Sequence, residues 1–259
     1  MGCYNDDVLF IHIPKCGGTV VKEYLHTHLH NVKWPRNAHW FAGRDGRIEP
    51  TPADEQRAAK TVEDSKLPIG HIPLRDIPNY TGREIESWQR IVTVIRNPYH
   101  QQISQWLFWR DRYAMGYNHA NDVHAAMHPR FDSWVGTPDA DFHIWYEQRK
   151  SIQTPLVKRP PSTENDYANW GGFYPYWVGV DDSIPDNVVL LRQETLADDL
   201  PDVLAPFIDG TPPPLHRTNV GPTKESRYLD YINKWETVET IESKFRWTFD
   251  NDIYPKVER

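Results

Sequence analysis

Cysteine is nearly absent from this chain of 259 residues, which contains only two, Cys3 and Cys16. Two cysteines cannot form the multiple-disulfide framework of a small secreted protein, so we expect a reducing compartment. No apolar run reaches the ~18–20 residues that a bilayer-spanning helix needs, and a strand-like run from Val8 stands where a signal peptide would lie. These absences predict a cytoplasmic protein without a membrane partner.

Positive charge is also scarce, and the formal net charge is −7 at pH 7. General nucleic-acid binding requires a basic face that displaces counterions from phosphates, so we expect no nucleic-acid partner. A small anionic ligand is compatible with this charge, because a few local cations and backbone N–H groups are enough to hold one.

Apolar runs and helical patterns alternate along the chain. Short apolar runs predict buried strands at 8–13, 91–95 and 188–191, and helical patterns begin at Thr19 and Pro98 and cover 196–208. Two more helical patterns follow towards the C-terminus. The alternation predicts an α/β protein with a central parallel sheet and helices on both of its faces, folded as a single domain over residues 1–259.

The turn between the first strand and the first helix has the composition of an anion-binding loop. It reads Phe10-Ile11-His12-Ile13-Pro14-Lys15-Cys16-Gly17-Gly18-Thr19. Glycines let the backbone approach a ligand, and the helix that follows directs N–H groups and the positive end of its dipole at it. Thr19 adds a hydroxyl donor, and Lys15 adds a cation. The order is not that of a Walker A loop, in which the lysine follows the last glycine. On the glycines alone, a tight strand–helix turn is an equally good interpretation.

A second motif begins where the second predicted strand ends. Arg96 directly follows that strand, and Ser104 lies about two helical turns later. Ligands of open α/β sheets bind at the carboxyl ends of the strands. An arginine there offers phosphate a charge-assisted fork, and a serine adds one more donor. The alternative for Arg96 is a salt bridge across the edge of the sheet.

In this order, the two motifs resemble those of the sulfotransferases that use 3′-phosphoadenosine-5′-phosphosulfate (PAPS). The resemblance is closest to the carbohydrate branch that includes the heparan uronyl 2-O-sulfotransferases. The first motif is similar to the 5′-phosphosulfate loop of the family, with Cys16 where threonine is usual, and the second to its 3′-phosphate element. Weaker similarities lie in Leu191-Arg192-Gln193-Glu194-Thr195-Leu196 and in Arg217-Thr218-Asn219, which is similar to a late loop that closes over the nucleotide.

The resemblance implies a P-loop-like three-layer fold, with PAPS as sulfuryl donor and its desulfated form, PAP, as product. The nucleotide-binding residues that it implies are Lys15, Cys16, Gly17, Gly18, Thr19, Arg96, Ser104, Arg217, Thr218 and Asn219. Lys15 is also the cation expected to stabilise the leaving group.

For the catalytic base, the sequence favours His71. The Ile69-Gly70-His71 string lies between the two motifs and resembles the element that bears the catalytic histidine in the uronyl 2-O branch. An imidazole, with an unperturbed pKa near ~6.5, suits a general base at neutral pH. Other branches of the family use a carboxylate, and the sequence leaves that alternative open.

An irregular, aromatic-rich stretch covers residues 105–187. Because tryptophan faces stack on sugar rings, this stretch is the expected binding segment for a small-molecule or glycan acceptor. Filling of a loop-rich core is an equally good interpretation. The same stretch contains His119, His124 and His128, but no cysteine or clear third ligand accompanies them, so we expect no metal site.

Two other functions compete with sulfuryl transfer. A small-molecule kinase uses the same strand–loop–helix arrangement, but this chain lacks the Lys-Ser/Thr order and an obvious Mg²⁺-binding aspartate after a strand. A non-catalytic nucleotide- or glycan-binding module is the other alternative. The presence of Lys15, Thr19, Arg96 and Ser104 together argues against such a module.

Overall fold

The computed structural model describes residues 2–33, 72–114, 172–181, 183–215, 231–232 and 234–258 of the chain. In these residues four strands form one sheet in the spatial order β1-β2-β3-β4. The strands are β1 (Cys3–Tyr4), β2 (Val8–Ile11), β3 (Arg90–Ile95) and β4 (Val188–Arg192). β2, β3 and β4 are parallel, as predicted, whereas β1 pairs antiparallel with β2. The sheet is therefore mixed rather than wholly parallel.

Burial explains why the two inner strands form where the apolar runs predict them. All four residues of β2 are buried, as are the last five of the six in β3. A strand covered on both faces needs apolar side chains at successive positions, and β-branched residues suit its extended backbone. β4 lies at the edge of the sheet formed by the described strands, and its first three residues are only half-buried.

The parallel register brings the carboxyl ends of three strands to one edge of the sheet. Ile11 pairs with Thr93, and Ile95 pairs with Arg192. The buried Thr93 hydroxyl donates a hydrogen bond of 2.8 Å to the Ile11 carbonyl, which ties the last residue of β2 to β3. The Gln193 backbone N–H likewise donates to the Ile95 carbonyl at 2.8 Å. The chain that follows β2 thus begins at a firmly hydrogen-bonded edge.

Five of the described α-helices lie where the sequence predicts a helix, and two short ones, Ile77–Thr81 and Phe173–Val178, were not predicted. In chain order the described α-helices are α1 (Gly18–His28), α2 (Ile77–Thr81), α3 (Pro98–Ala114), α4 (Phe173–Val178), α5 (Leu196–Leu204), α6 (Trp235–Lys244) and α7 (Arg246–Asp250). The pattern over 196–208 predicted too long a helix, because α5 ends at Leu204 and a 3₁₀ turn, Ala205–Phe207, follows it. The α/β class is confirmed, and the P-loop-like three-layer arrangement stays a prediction.

Contacts between Cα atoms divide the chain into two compact units, each made of two segments. Unit 1 comprises Met1–Ile95 and Trp177–Asn219, and unit 2 comprises Arg96–Tyr176 and Val220–Arg259. Unit 1 contains the sheet with α1, α2 and α5, whereas unit 2 contains α3, α6 and α7 with most of α4. The single domain over 1–259 stays a prediction.

The core of unit 2 is built largely from aromatic rings. The rings of Phe173 and Tyr174 pack on Phe245 with centroids 4.8 and 5.5 Å apart. Tyr99 at the start of α3 packs on Phe249 of α7, with centroids 5.7 Å apart. All five rings are buried.

The described helices give no sign of a membrane span. In the parts of the chain that the structure describes, none of them combines the length and the hydrophobicity that crossing a bilayer requires.

Candidate functional site

The segment between β2 and α1, residues 12–17, is called the β2–α1 loop below. Gly17 is the N-cap residue of α1 and has a left-handed backbone conformation, with φ 85° and ψ 11°. Glycine adopts this conformation without the steric penalty that other residues incur. Lys15 has a φ of 63°, also in the left-handed region, and its side chain is half-exposed.

The left-handed conformation of Lys15 is a local strain. It costs an L-residue with a Cβ roughly 1–2 kcal/mol, so it persists only where the surrounding structure holds it. Strained positions of this kind concentrate at ligand-binding and catalytic sites. Asn31, Asp181 and Asp252 also have positive φ, and the role of Lys15 in binding stays a prediction.

The N-terminus of α1 has the electrostatic character that the loop motif predicts. The first turn of this 11-residue helix contains no acidic side chain that would offset the positive end of its dipole. Thr19, the second residue of the helix, is exposed. The described turn can therefore direct backbone N–H groups and one hydroxyl at an anion.

The two glycines of the motif serve the packing of the loop as well. A Cβ on Gly18 would overlap the imidazole ring of His12, and a Cβ on Gly17 would lie 3.2 Å from Cγ of Gln193. The His12 ring in turn stacks on Phe10, with centroids 5.9 Å apart and an interplanar angle of 22°. Because the two glycines have no Cβ, the side chains of His12 and Gln193 can pack against the loop. The sequence alone did not reveal this reason for the two glycines.

Cys16, predicted among the nucleotide-binding residues, has a buried side chain. Its thiol donates a weak hydrogen bond to the Pro14 carbonyl, with Sγ and O 3.5 Å apart. A side chain held inside the loop in this way leaves the backbone N–H as the group through which Cys16 can meet a ligand.

Arg96 lies directly after β3 and is only 7% exposed. Its backbone is held by the hydroxyl of Tyr174, a residue of α4. That hydroxyl accepts a hydrogen bond of 3.0 Å from the Arg96 N–H and donates one of 2.5 Å to the Arg96 carbonyl. Nothing in the sequence pattern linked these two residues, which are 78 positions apart.

The Asn-Pro pair after Arg96 starts α3 as the sequence predicts. The side-chain oxygen of Asn97 accepts hydrogen bonds from the backbone N–H groups of Tyr99 and His100, at 3.1 and 3.4 Å. This is N-terminal capping, and the ring of Pro98 suits the first helical turn. Ser104 follows within α3 and is half-buried.

Several predicted residues lie outside the described residues. They are His71, the late loop Arg217, Thr218 and Asn219, the histidines His119, His124 and His128, and most of the aromatic-rich stretch over 105–187. Among the described residues of that stretch, Trp106, Phe173, Tyr174, Tyr176 and Trp177 are buried, which favours core packing over acceptor binding for these five. No group of three or more potential metal ligands occurs among the described residues.

One surface cavity of about 520 Å³ occurs in unit 2, away from every predicted site residue in sequence. Glu242 and Lys256 are among the residues that line it, and charges of both signs face it. The Glu242 carboxylate accepts a 2.7 Å hydrogen bond from the buried Tyr99 hydroxyl. Burial and this neighbouring carboxylate raise the pKa of Tyr99.

Comparison of the chain with protein-family models, with curated proteins and with solved structures found no match.

Proposed function

We propose that this protein is a sulfotransferase that moves a sulfuryl group from PAPS to an acceptor hydroxyl. The observation that carries the proposal is the β2–α1 loop. A parallel strand leads into a turn with a strained, half-exposed Lys15, and the turn leads into a helix whose first turn has no carboxylate. Loop composition, residue order and backbone conformation all suit a bound phosphosulfate.

In this proposal the loop holds the 5′-phosphosulfate end of the donor. Backbone N–H groups from Cys16 to Thr19 donate to its oxygens, the Thr19 hydroxyl adds one bond, and the ammonium of Lys15 supplies charge. Arg96 and Ser104 bind the 3′-phosphate, and Arg217, Thr218 and Asn219 complete the nucleotide site. The finer fold that we propose for this site is the P-loop-like three-layer arrangement, whose coarse α/β class is already established.

The proposed reaction is an in-line displacement at sulfur. The acceptor oxygen forms a bond to sulfur as the bond from sulfur to the bridging oxygen breaks, and PAP leaves. His71 takes the proton of the acceptor hydroxyl. Lys15 stabilises the negative charge that develops on the bridging oxygen, an effect that is larger in the transition state than in the ground state. The role of His71 rests on the sequence alone, as does the choice of a small-molecule or glycan acceptor.

The test is transfer of labelled sulfuryl from PAPS to a panel of hydroxyl acceptors that includes oligosaccharides. We expect a labelled product from the wild type, and a loss of roughly 10²–10⁴-fold in turnover for His71→Ala, as is typical for removal of a general base. His26→Ala, at an exposed position of α1, is the control and should retain turnover. Phosphoryl transfer from ATP and Mg²⁺ would instead identify a kinase, and PAP binding without turnover would favour a binding module.

A further inference from the structure

The contact between Tyr174 and Arg96 is stronger than a chance packing contact. The phenolic hydroxyl uses both of its capacities on one residue, because it accepts from the Arg96 N–H and donates to the Arg96 carbonyl. Tyr174 is fully buried and Arg96 nearly so. A buried peptide group without a hydrogen-bond partner is destabilising. This one hydroxyl provides a partner for both the N–H and the carbonyl of Arg96.

The Tyr174 ring is itself firmly held. It packs at 5.4 Å from the ring of Phe173 and at 5.5 Å from that of Phe245, both buried in the core of unit 2. The hydroxyl is therefore presented from a helix, by a ring that is packed in the core of unit 2. Arg96 is hydrogen-bonded to this hydroxyl through both its N–H and its carbonyl, which fixes the direction of its backbone. The Cα position from which the long Arg96 side chain extends is then fixed as well.

We propose that Tyr174 is a positioning residue for the 3′-phosphate of the nucleotide and that it acts through Arg96. The inference rests on the proposed function, in which Arg96 binds that phosphate. A guanidinium binds phosphate through two N–H groups in a planar fork, so its contribution depends on orientation as well as on charge. Fixing the backbone of Arg96 before the ligand arrives lowers the cost of orienting this fork.

The experiment compares PAP with 5′-AMP, which lacks the 3′-phosphate, by calorimetric titration. The ratio of the two dissociation constants measures what the 3′-phosphate contributes to binding. We expect the wild type to prefer PAP roughly 10- to 100-fold, the range for a charge-assisted contact. Tyr174→Phe removes only the hydroxyl and should lower this preference about fivefold or more while AMP affinity changes little, because misplacement of a single group weakens only what that group binds.

Tyr99→Phe is the matched control. The Tyr99 hydroxyl is also buried in unit 2, and it also makes one bond as donor, to Glu242, and one as acceptor, from the Val257 N–H. Its loss should destabilise the protein similarly but leave the preference for PAP over AMP within about twofold of the wild type. A purely structural role for Tyr174 would make the two variants alike.

The outcomes separate this inference from the proposed function. A wild type that does not prefer PAP over AMP overturns both. A wild type with the preference and a Tyr174→Phe variant that keeps it in full overturns the role of Tyr174 alone. In the background of Arg96→Ala, Tyr174→Phe should cause no further loss of preference, and an additive loss would contradict action through Arg96.

If Tyr174→Phe does not fold, Phe245→Leu keeps the hydroxyl but loosens the ring, and an unchanged preference in that variant overturns the inference.

Discussion

At the scale of single residues, two cations have constrained backbones. Lys15 is held in the left-handed region, and Arg96 has its N–H and its carbonyl bound by one buried hydroxyl. Long cationic side chains lose much conformational entropy when they bind, and a fixed backbone reduces what remains to be ordered. The sequence predicts a binding role for both positions from composition and spacing. Their backbone constraints depend instead on the local conformation of Lys15 and, for Arg96, on Tyr174 far along the chain.

Arg96 should contribute more than Ser104 to nucleotide binding. Loss of a charged donor to phosphate costs ~1.5–3 kcal/mol, whereas loss of a neutral one costs ~1 kcal/mol. Arg96→Ala should therefore weaken PAP binding more than Ser104→Ala, as measured by calorimetric titration.

The control for this pair is Gln105→Ala, since Gln105 is the half-buried neighbour of Ser104 in α3. It should bind PAP as the wild type does. Equal and negligible losses for Arg96→Ala and Ser104→Ala would mean that the second motif is only a structural feature at the end of a strand.

At the scale of elements, the sequence predicts those strands and helices whose position depends on a local pattern of apolar residues. Continuous apolar runs located β2, β3 and β4 to within about two residues, a usual margin for element boundaries. β1 was missed because it has two residues, and its existence depends on pairing of Cys3 with Phe10 rather than on any run of its own. The packing of Gln193 against Gly17 was likewise not predictable, because it joins residues far apart in sequence.

Gly18 should tolerate alanine only when His12 is removed. Alanine is the better helix former by ~1 kcal/mol, yet its Cβ would overlap the His12 ring. Because overpacking costs ~1–3 kcal/mol, Gly18→Ala should lower the free energy of unfolding measured in urea.

In the His12→Ala background the same substitution should be neutral or stabilising, since the overlap is gone. The difference between the two backgrounds isolates the contact. Destabilisation of equal size in both would show that His12 does not explain the glycine.

At the scale of the whole molecule, the sequence did not locate the boundaries of the two units. The boundary falls between Ile95 and Arg96, within the second motif, and a second boundary falls between Tyr176 and Trp177 inside α4. Linkers are recognised in sequence by runs of proline, glycine or polar residues. These two boundaries have no such run, whereas a third boundary, between Asn219 and Val220, is followed by Gly221 and Pro222. Contacts that are distant in sequence define the two units, so composition could not reveal them.

Burial of Cys3 makes global stability depend on alkaline pH. Burial raises the pKa of its thiol from 9.0 to about 12. Above pH 9 the unfolded chain loses this proton while the native state keeps it, so native stability is complete below pH 9 and is lost progressively up to about pH 12.

The free energy of unfolding in urea should therefore fall with pH in this window. Relative to Cys3→Ala, which has no thiol to titrate at this position, the wild type should lose ~1.4 kcal/mol per pH unit. Parallel pH dependences of the two proteins would show that the thiol is not protected by burial in the native state.

The proposed use of PAPS, with Lys15 at the donor, can be measured by calorimetric titration of PAP into the wild type and Lys15→Ala, each free of metal. We predict saturable binding to the wild type that Lys15→Ala weakens by ~1.5–3 kcal/mol, the value of a charged hydrogen bond. Lys234→Ala, at an exposed position before α6, controls for loss of a positive charge and should bind PAP normally. Absence of PAP binding in the wild type, together with clear binding of ATP and Mg²⁺, would contradict the proposed sulfotransferase function.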